Sequence, residues 1–288
     1  MQLVTDRGMD LTAEQMTGLD LHFIPLTFTL DGKTYRSGED IQPEEFYQLL
    51  ASSNNFPTTS QPSTGDFAEV YRKLAATDPD ILSIHISSGL SGTINSARAA
   101  CELVPEAHIT VIDTKTLSGA EGWQVEAAAR AIKLGWSVKE IAALLDRIRA
   151  AVDTLYTLAT LKYLIHGGRI SHLKGLVASL LNIKPIIGVE KVNGTYAQKG
   201  QARTLEQAIL KIADLVTQQH APGTALRLQV LQGANLEGAA MLRKKLDQLF
   251  KCTWLPTGPI APVLGAHTGP GLVGLVYAPQ AVFADLPW

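Results

Sequence analysis

Ile81-Leu82-Ser83-Ile84-His85-Ile86-Ser87-Ser88-Gly89-Leu90-Ser91-Gly92-Thr93 is a β-branched apolar run that breaks into a loop of hydroxyls and glycines, and helical periodicity follows to about Cys101. Strand, polar loop, then helix is the pattern of a parallel βα unit. It recurs on both sides of this stretch. Leu3-Val4-Thr5 runs into Asp6, Phe23-Ile24-Pro25-Leu26 forms a second short strand, and Ile109 to Ile112 ends at Asp113. A long helix then spans about Ser118 to Leu134, with Gly135 as its stop, and Ser137-x-x-Glu140 is a capping box opening another to about Ala151. Phe28 to Tyr35 reads as a hairpin across Asp31-Gly32, and Pro43 stands where a helix carrying Phe46, Leu49 and Leu50 begins. Phe67, Val70, Tyr71 and Leu74 share one face of a helix ahead of the quoted strand.

The second half changes character. A glycine turn, His166-Gly167-Gly168-Arg169, is followed by a strand around Pro185 to Val189, an Asn193-Gly194 turn and a helix near Leu205 to Gln219. Leu226 to Leu231 reads as a strand and Asn235 to Phe250 as a helix. Pro259 to Ala266 and Leu272 to Tyr277 read as the last two strands. The junction between the halves is expected between Ala151 and Thr160.

Composition narrows the class. The 288 residues carry 25 Lys+Arg against 27 Asp+Glu, a net charge of −2, too balanced for a chain built to coat nucleic acid. Hydrophobic residues at 46% and charged residues at 18% fit a well-buried globular protein. Cys101 and Cys252 lack ligand spacing and read as reduced core residues, which points to a reducing cytoplasm. The N-terminus turns charged too soon for a signal peptide. Gly175 to Val189, the most apolar region, is broken by Lys184 and Pro185 before it could span a bilayer.

Three motif matches fail on context. Gly269-Pro270-Gly271-Leu272-Val273-Gly274 fits G-x-G-x-x-G but leads into a strand, with no room for the acidic residue that dinucleotide binding needs. Gly32-Lys33-Thr34 lacks the earlier P-loop glycine, Thr27 standing in its place. Gly89-Leu90-Ser91-Gly92 would be a nucleophile elbow only with glycine at Thr93. No H-x-x-x-H pair suggests zinc.

Two hydroxyl-rich loops and one histidine remain. Thr58, Thr59, Ser60 and Ser63 precede a helix, and Ser87, Ser88, Ser91 and Thr93 follow a strand, at the edge where open α/β sheets bind ligands. Hydroxyls, loop amides and a helix N-terminus together can hold an anion; each residue alone serves equally well as a cap or turn. His267 is bracketed by glycines in Gly265-Ala266-His267-Thr268-Gly269-Pro270-Gly271 and could donate to a carboxylate or be purely structural.

Assembled in order, these residues resemble the DegV family of fatty-acid-binding proteins along nearly the whole chain. The resemblance rests on Thr5-Asp6, Thr59-Ser60-Gln61-Pro62-Ser63, Ile86 to Thr93 with Ser96-Ala97, and Val111 to Thr114. It continues through Thr160-Leu161-x-Tyr163-Leu164, Gly167 to Ser171, Ile183 to Ile186 and Gly265-x-His267-x-Gly269-Pro270-Gly271. It implies an α/β fold in two domains: an N-terminal parallel-sheet α/β/α domain, residues 1–155, and a C-terminal α/β domain with a mixed sheet, residues 156–288. Segment 265–271 would return to the ligand. One long-chain fatty acid would lie between the domains, its carboxylate met by Thr59, Ser60, Ser88, Ser91, Gly92 and His267. The resemblance further implies a non-catalytic cytoplasmic carrier, with no cofactor or metal, that presents the acid to a separate fatty acid kinase for acyl-phosphate and phospholipid synthesis. Transient membrane contact during loading fits that role; nucleic acid does not.

A fourteen-methylene tail would supply on the order of 10 kcal/mol at ~0.8 kcal/mol per buried CH₂, before association costs. Leu90, Ile94, Leu161, Leu164, Ile165, Leu176, Leu180 and Leu181 are the expected tunnel lining. Two departures from the family pattern stand out. Asp6-Arg7-Gly8 replaces the usual Asp-Ser-Thr, and Arg203 is flanked by Gln201, Leu205, Glu206 and Gln207 where the family tends to be basic. Arg169 and Arg203 are candidates for partner or interdomain contacts, and Arg169 is favoured as a strut paired with a carboxylate. Arg243 to Lys251 reads as the solvated face of an amphipathic helix. The alternative of another class is a Ser-His acyl hydrolase or transferase using Ser91 or Ser88 with His267.

Overall fold

The structure, a computed structural model, describes residues 1–171, 173 and 183–286. Strands β1 (Gln2–Asp6), β2 (His22–Ile24), β6 (Asp80–His85) and β7 (His108–Asp113) form a parallel sheet in the order β2-β1-β6-β7. The short helix α1 (Ala13–Met16) connects the first pair. A three-stranded antiparallel sheet, β4-β3-β5, sits beside it, built from the hairpin β3 (Thr27–Leu30) and β4 (Lys33–Arg36) and from β5 (Thr58–Ser60). Helix α2 (Pro43–Ser52) covers that small sheet with Phe46 and Leu50, against Phe28 and Leu30.

Helices α3 (Thr64–Ala75) and α4 (Thr93–Cys101) pack on one face of the parallel sheet around Val4, Phe67, Tyr71 and Ile81. The other face takes α5 (Ser118–Lys133) and α6 (Val138–Ala151), with Leu3, Leu82 and Ile84 meeting Trp123, Ala127 and Ile141. Ser137 and Glu140 close the expected capping box.

The second sheet is mixed and seven-stranded, in the order β10-β9-β8-β14-β11-β12 with β13 also on β11. Its members are β8 (Asp153–Thr157), β9 (Lys184–Val189), β10 (Tyr196–Ala202), β11 (Ala225–Gln232), β12 (Lys251–Trp254), β13 (Gly258–Pro259) and β14 (Val273–Pro279). β12 and β13 run parallel to β11, and the other pairs are antiparallel. α7 (Lys162–His166) follows β8, while α8 (Leu205–Thr217) and α9 (Leu236–Asp247) bury Ile209, Ile212, Leu242 and Leu246 on one face of this sheet. The division expected after residue 155 passes through β8.

α5 explains how the two sheets make one body. Both of its faces are covered, one by the parallel sheet and one by Tyr156, Leu231 and Val276 of the mixed sheet, so its small residues are packing requirements. A Cβ on Gly119 would stand 2.9 Å from Leu231 and 3.0 Å from Val276. Arg227 on β11, only 2% exposed, reaches across to Glu126 of α5 at 3.2 Å and stacks near Trp123 and the ring of Phe283, which lies in a 3-10 turn at Gln280–Phe283.

Two expected elements differ. Thr58–Ser60 is an edge strand, pairing Phe28 with Thr59, where a loop was expected. Residues Pro262–Thr268 form helix α10, where the apolar run was read as strand. Pro262 at its first turn presets φ, and Gly269 at φ +67 ends it, both ordinary helix punctuation. Cys101 and Cys252 are half-buried and unbridged. Among the described residues no helix is long and apolar enough to cross a membrane, and no group of three or more His, Cys, Asp or Glu could hold a metal.

Candidate ligand-binding site

The carboxyl ends of the parallel strands face β5, α10 and the Gly167–Arg169 turn, and a small pocket lies between them. Its polar wall is Thr59, Ser60, Gln61, Ser91, Arg169 and His267; its apolar wall is Leu26, Ile86, Leu90, Leu117, Tyr196, Val263 and Leu264. A second, apolar cavity is lined by Leu158, Leu164, Ile187, Ile260 and Leu272, with Ser118, Tyr156 and Thr268. Leu117, Tyr196 and Leu264 belong to both, so the polar pocket and the apolar interior adjoin across these three side chains.

The antiparallel edge strand holds Thr59 half-buried, and its Oγ1 hydrogen-bonds His267 Nε2 at 2.8 Å. α10 can carry His267 this close because Gly265 lets the helix lie on α2; a Cβ there would meet the Phe46 ring at 2.6 Å. On the other side of the imidazole, a Cβ at Gly167 would stand 2.1 Å from Nδ1, and Nδ1 has no hydrogen-bond partner among the described residues. Burial first, and the nearby Arg169 guanidinium second, push His267 down to about 4, so at neutral pH it is an uncharged imidazole.

Ser91 Oγ and Thr93 Oγ1 are 2.8 Å apart, ahead of α4. Gly92 is the N-cap of that helix, and its missing side chain is what admits Gln61, whose Oε1 would lie 2.0 Å from a Cβ there. Gln61 in turn donates to Ser96 Oγ at 3.1 Å. Ser60 lines the same cavity. Ser88 points elsewhere: it is exposed, accepts from Lys115 Nζ at 3.1 Å, and lines an open outer groove with Ser91, Gly92, Gly168, Arg169 and Ser171.

Arg169 departs from its expected role. No carboxylate lies within salt-bridge distance among the described residues; Nη1 donates to Gly167 O at 2.7 Å and the side chain lines both the cavity and the outer groove. The cross-sheet pairing anticipated for Arg169 is made by Arg227 with Glu126, which no sequence motif marked. Arg203 is exposed between β10 and α8. Of the expected lining residues, Leu90 and Leu164 border the cavities, Ile94 and Leu161 are buried in the core, and Ile165 is exposed. Leu176, Leu180 and Leu181 lie outside the described residues. Gln61, Leu117, Tyr196 and Leu264 were missed, Leu264 because its helix was read as a strand.

The first loop holds together without the hydroxyls that Arg7 and Gly8 displace. Asp6 Oδ1 accepts from Gly8 N at 2.7 Å, and Oδ2 accepts from Ile86 N at 3.0 Å beside His85 Nδ1, also at 3.0 Å. Arg7 stacks over Phe23 at 3.6 Å. The quoted loop is also clasped to the second sheet, since Ser87 Oγ donates to Gly194 O at 2.9 Å and a Cβ on Gly89 would meet Asn193 O at 2.4 Å.

The fold is an α/β protein with a parallel sheet, a mixed sheet and a small antiparallel sheet, and it sets a hydroxyl- and histidine-lined pocket against an apolar cavity. A family model described as "Uncharacterised protein, DegV family" matches residues 1–280, and the chain belongs to that family. A DegV domain-containing protein of Staphylococcus aureus is 34% identical over 274 residues, covering 95% of this chain and 97% of its own. Among solved structures, a DegV family protein from Thermus thermophilus, described for its fatty acid binding, superposes with a TM-score of 0.86 at 32% identity over 97% of this chain and 99% of its own. DegV from Bacillus subtilis, described as a fatty acid binding protein, gives 0.86 at 28% identity over the same shares.

Proposed function

We propose that the chain binds one long-chain fatty acid and offers its carboxylate to a separate kinase for acyl-phosphate formation. The carboxylate would sit among Thr59, Ser60, Ser91 and His267 beside Arg169, with the acyl tail in the apolar cavity. The observation that carries this reading is the shared wall of Leu117, Tyr196 and Leu264, which sets a donor-lined pocket directly against an interior lined mostly by aliphatic side chains. A buried carboxylate demands donors, and a tail gains ~0.8 kcal/mol per methylene buried; this cavity pair supplies both. The fatty-acid binding described for the Thermus and Bacillus structures supports it.

Presentation to a kinase is supported by the outer groove, which shares Ser91 and Arg169 with the pocket and so leaves the carboxylate end approachable. Ser88 and Gly92 line that mouth. Such a kinase draws on ATP, which places the carrier in the cytoplasm. During loading from a bilayer, exposed Ile165 and Phe56, the latter stacked on His166, are the side chains that would touch lipid.

The geometry favours a carrier over a Ser-His hydrolase. His267 Nε2 is bonded to Thr59, Ser91 Oγ is bonded to Thr93, and among the described residues no group orients Nδ1, whereas a nucleophile needs an oriented base. Loaded protein should support ATP-dependent acyl-phosphate formation by a fatty acid kinase catalytic subunit, while hydrolysing no p-nitrophenyl acyl ester. Ester turnover abolished by Ser91→Ala would replace the carrier with the enzyme.

A further inference from the structure

A fourth concavity takes no part in the proposed ligand site. It is an outer groove lined by Arg7, Met9, Asp10, Leu11, Met16 and Pro262, among others. Only one layer of side chains separates it from the apolar interior. Ser118 lines the interior, Asp10 lines the groove, and the Ser118 hydroxyl donates to Asp10 Oδ2. Ile260 lines the interior, its neighbour Ala261 lines the groove, and Ala261 N donates to Asp10 Oδ1 at 2.8 Å. Asp10 is thus fastened on both oxygens across the gap between the two cavities.

The local backbone is arranged to keep it there. Ser118 opens α5 at φ +59, a left-handed conformation that glycine holds far more cheaply, and its N–H is tied to Gly8 O at 2.8 Å. On the interior side the buried Tyr156 hydroxyl lies against Ser118 and Thr154, so this part of the wall is polar in a cavity that is otherwise mostly apolar.

We propose that the Asp10–Ser118 pair is a stop that sets the longest acyl chain the interior accepts. The proposal rests on the fatty-acid reading of the site and adds its chain-length boundary. Within the cavity each added methylene raises affinity about fourfold. At the wall that gain ends, because a longer chain must either fold back or strip a buried carboxyl of the Ser118 and Ala261 donors.

Saturated acids from twelve to twenty-four carbons, titrated by competition against a fluorescent fatty acid, test this on the wild type, Asp10→Ala and Ser118→Gly. The wild type should gain affinity with length, then lose it abruptly. Asp10→Ala should raise the affinity for the twenty-two-carbon acid relative to the sixteen-carbon acid at least tenfold, leaving the fourteen-carbon acid unchanged. Ser118→Gly should shift the boundary the same way, and its backbone suits the native φ, so it keeps the test open if Asp10→Ala fails to fold. Coincident length profiles in wild type and Ser118→Gly, with binding retained, would overturn the stop alone. A wild type that binds none of the acids would overturn the fatty-acid reading beneath it.

Discussion

Gly167→Ala perturbs the headgroup site without removing a single polar group. Gly167 follows α7 with φ −72 and ψ −1, a conformation that alanine adopts freely, so the backbone gives no reason for the variant to misfold. Its new methyl, however, would stand 2.1 Å from His267 Nδ1 and 2.7 Å from Cε1. Ordinary van der Waals contact needs about 3.4 Å or more, so the imidazole must retreat by roughly an ångström. A hydrogen bond already at 2.8 Å, that from His267 to Thr59, does not survive such a displacement. Losing an aligned partner of a charged ligand group costs about 1.5–3 kcal/mol, or ~10-fold to ~150-fold in affinity. Overpacking should take a further 1–3 kcal/mol from stability, so a thermal melt accompanies the titration. The expected result is a folded protein with palmitate affinity reduced to near that of His267→Ala. Affinity equal to wild type would refute the view that His267 is held in place for the ligand.

Three further outcomes are expected. Glu121, fully buried on α5, has its pKa raised well above the ordinary carboxylate range by burial, and then by Asp6 and Asp10. A raised folded-state value stabilises at low pH and is lost as pH rises, so Glu121→Gln should raise the melting temperature more at pH 8 than at pH 5; an equal change at both would contradict this. Glu126→Ala removes from buried Arg227 the carboxylate that links α5 to the mixed sheet, and chemical denaturation should register a loss of about 3–5 kcal/mol. Thr59→Val, nearly isosteric, should weaken palmitate binding at least tenfold in calorimetric titration while the melting temperature moves little; unchanged affinity would remove Thr59 from the headgroup site.

How far the sequence could be read depends on what stabilises each element. Strands such as Asp80–His85 and helices such as Leu205–Thr217 declare themselves because burial imposes an apolar run or a period. Thr58–Ser60 does not, since a three-residue edge strand of hydroxyls owes its form to Phe28 and its neighbours on β3. α10 was legible in Pro262 and Gly269, but its apolar composition matched a strand equally well. The hydroxyls and His267 were visible as unusual residues in glycine-rich settings. Their convergence followed only from the family resemblance and from nothing in the local pattern, because Thr59 and His267 meet across 208 positions of chain. Arg169 and Arg227 were indistinguishable in kind, and only packing decides that one lines a cavity while the other bridges two layers.

The most direct measurement of the central claim is mass spectrometry of an organic extract of the purified protein, quantified against protein and against an unrelated protein prepared in parallel. A carrier of the kind described here should yield close to one long-chain fatty acid per chain, absent from the control and lost in large part from a His267→Ala, Thr59→Val double variant. No fatty acid in the extract, together with no binding of palmitate added to the purified chain, would contradict the account.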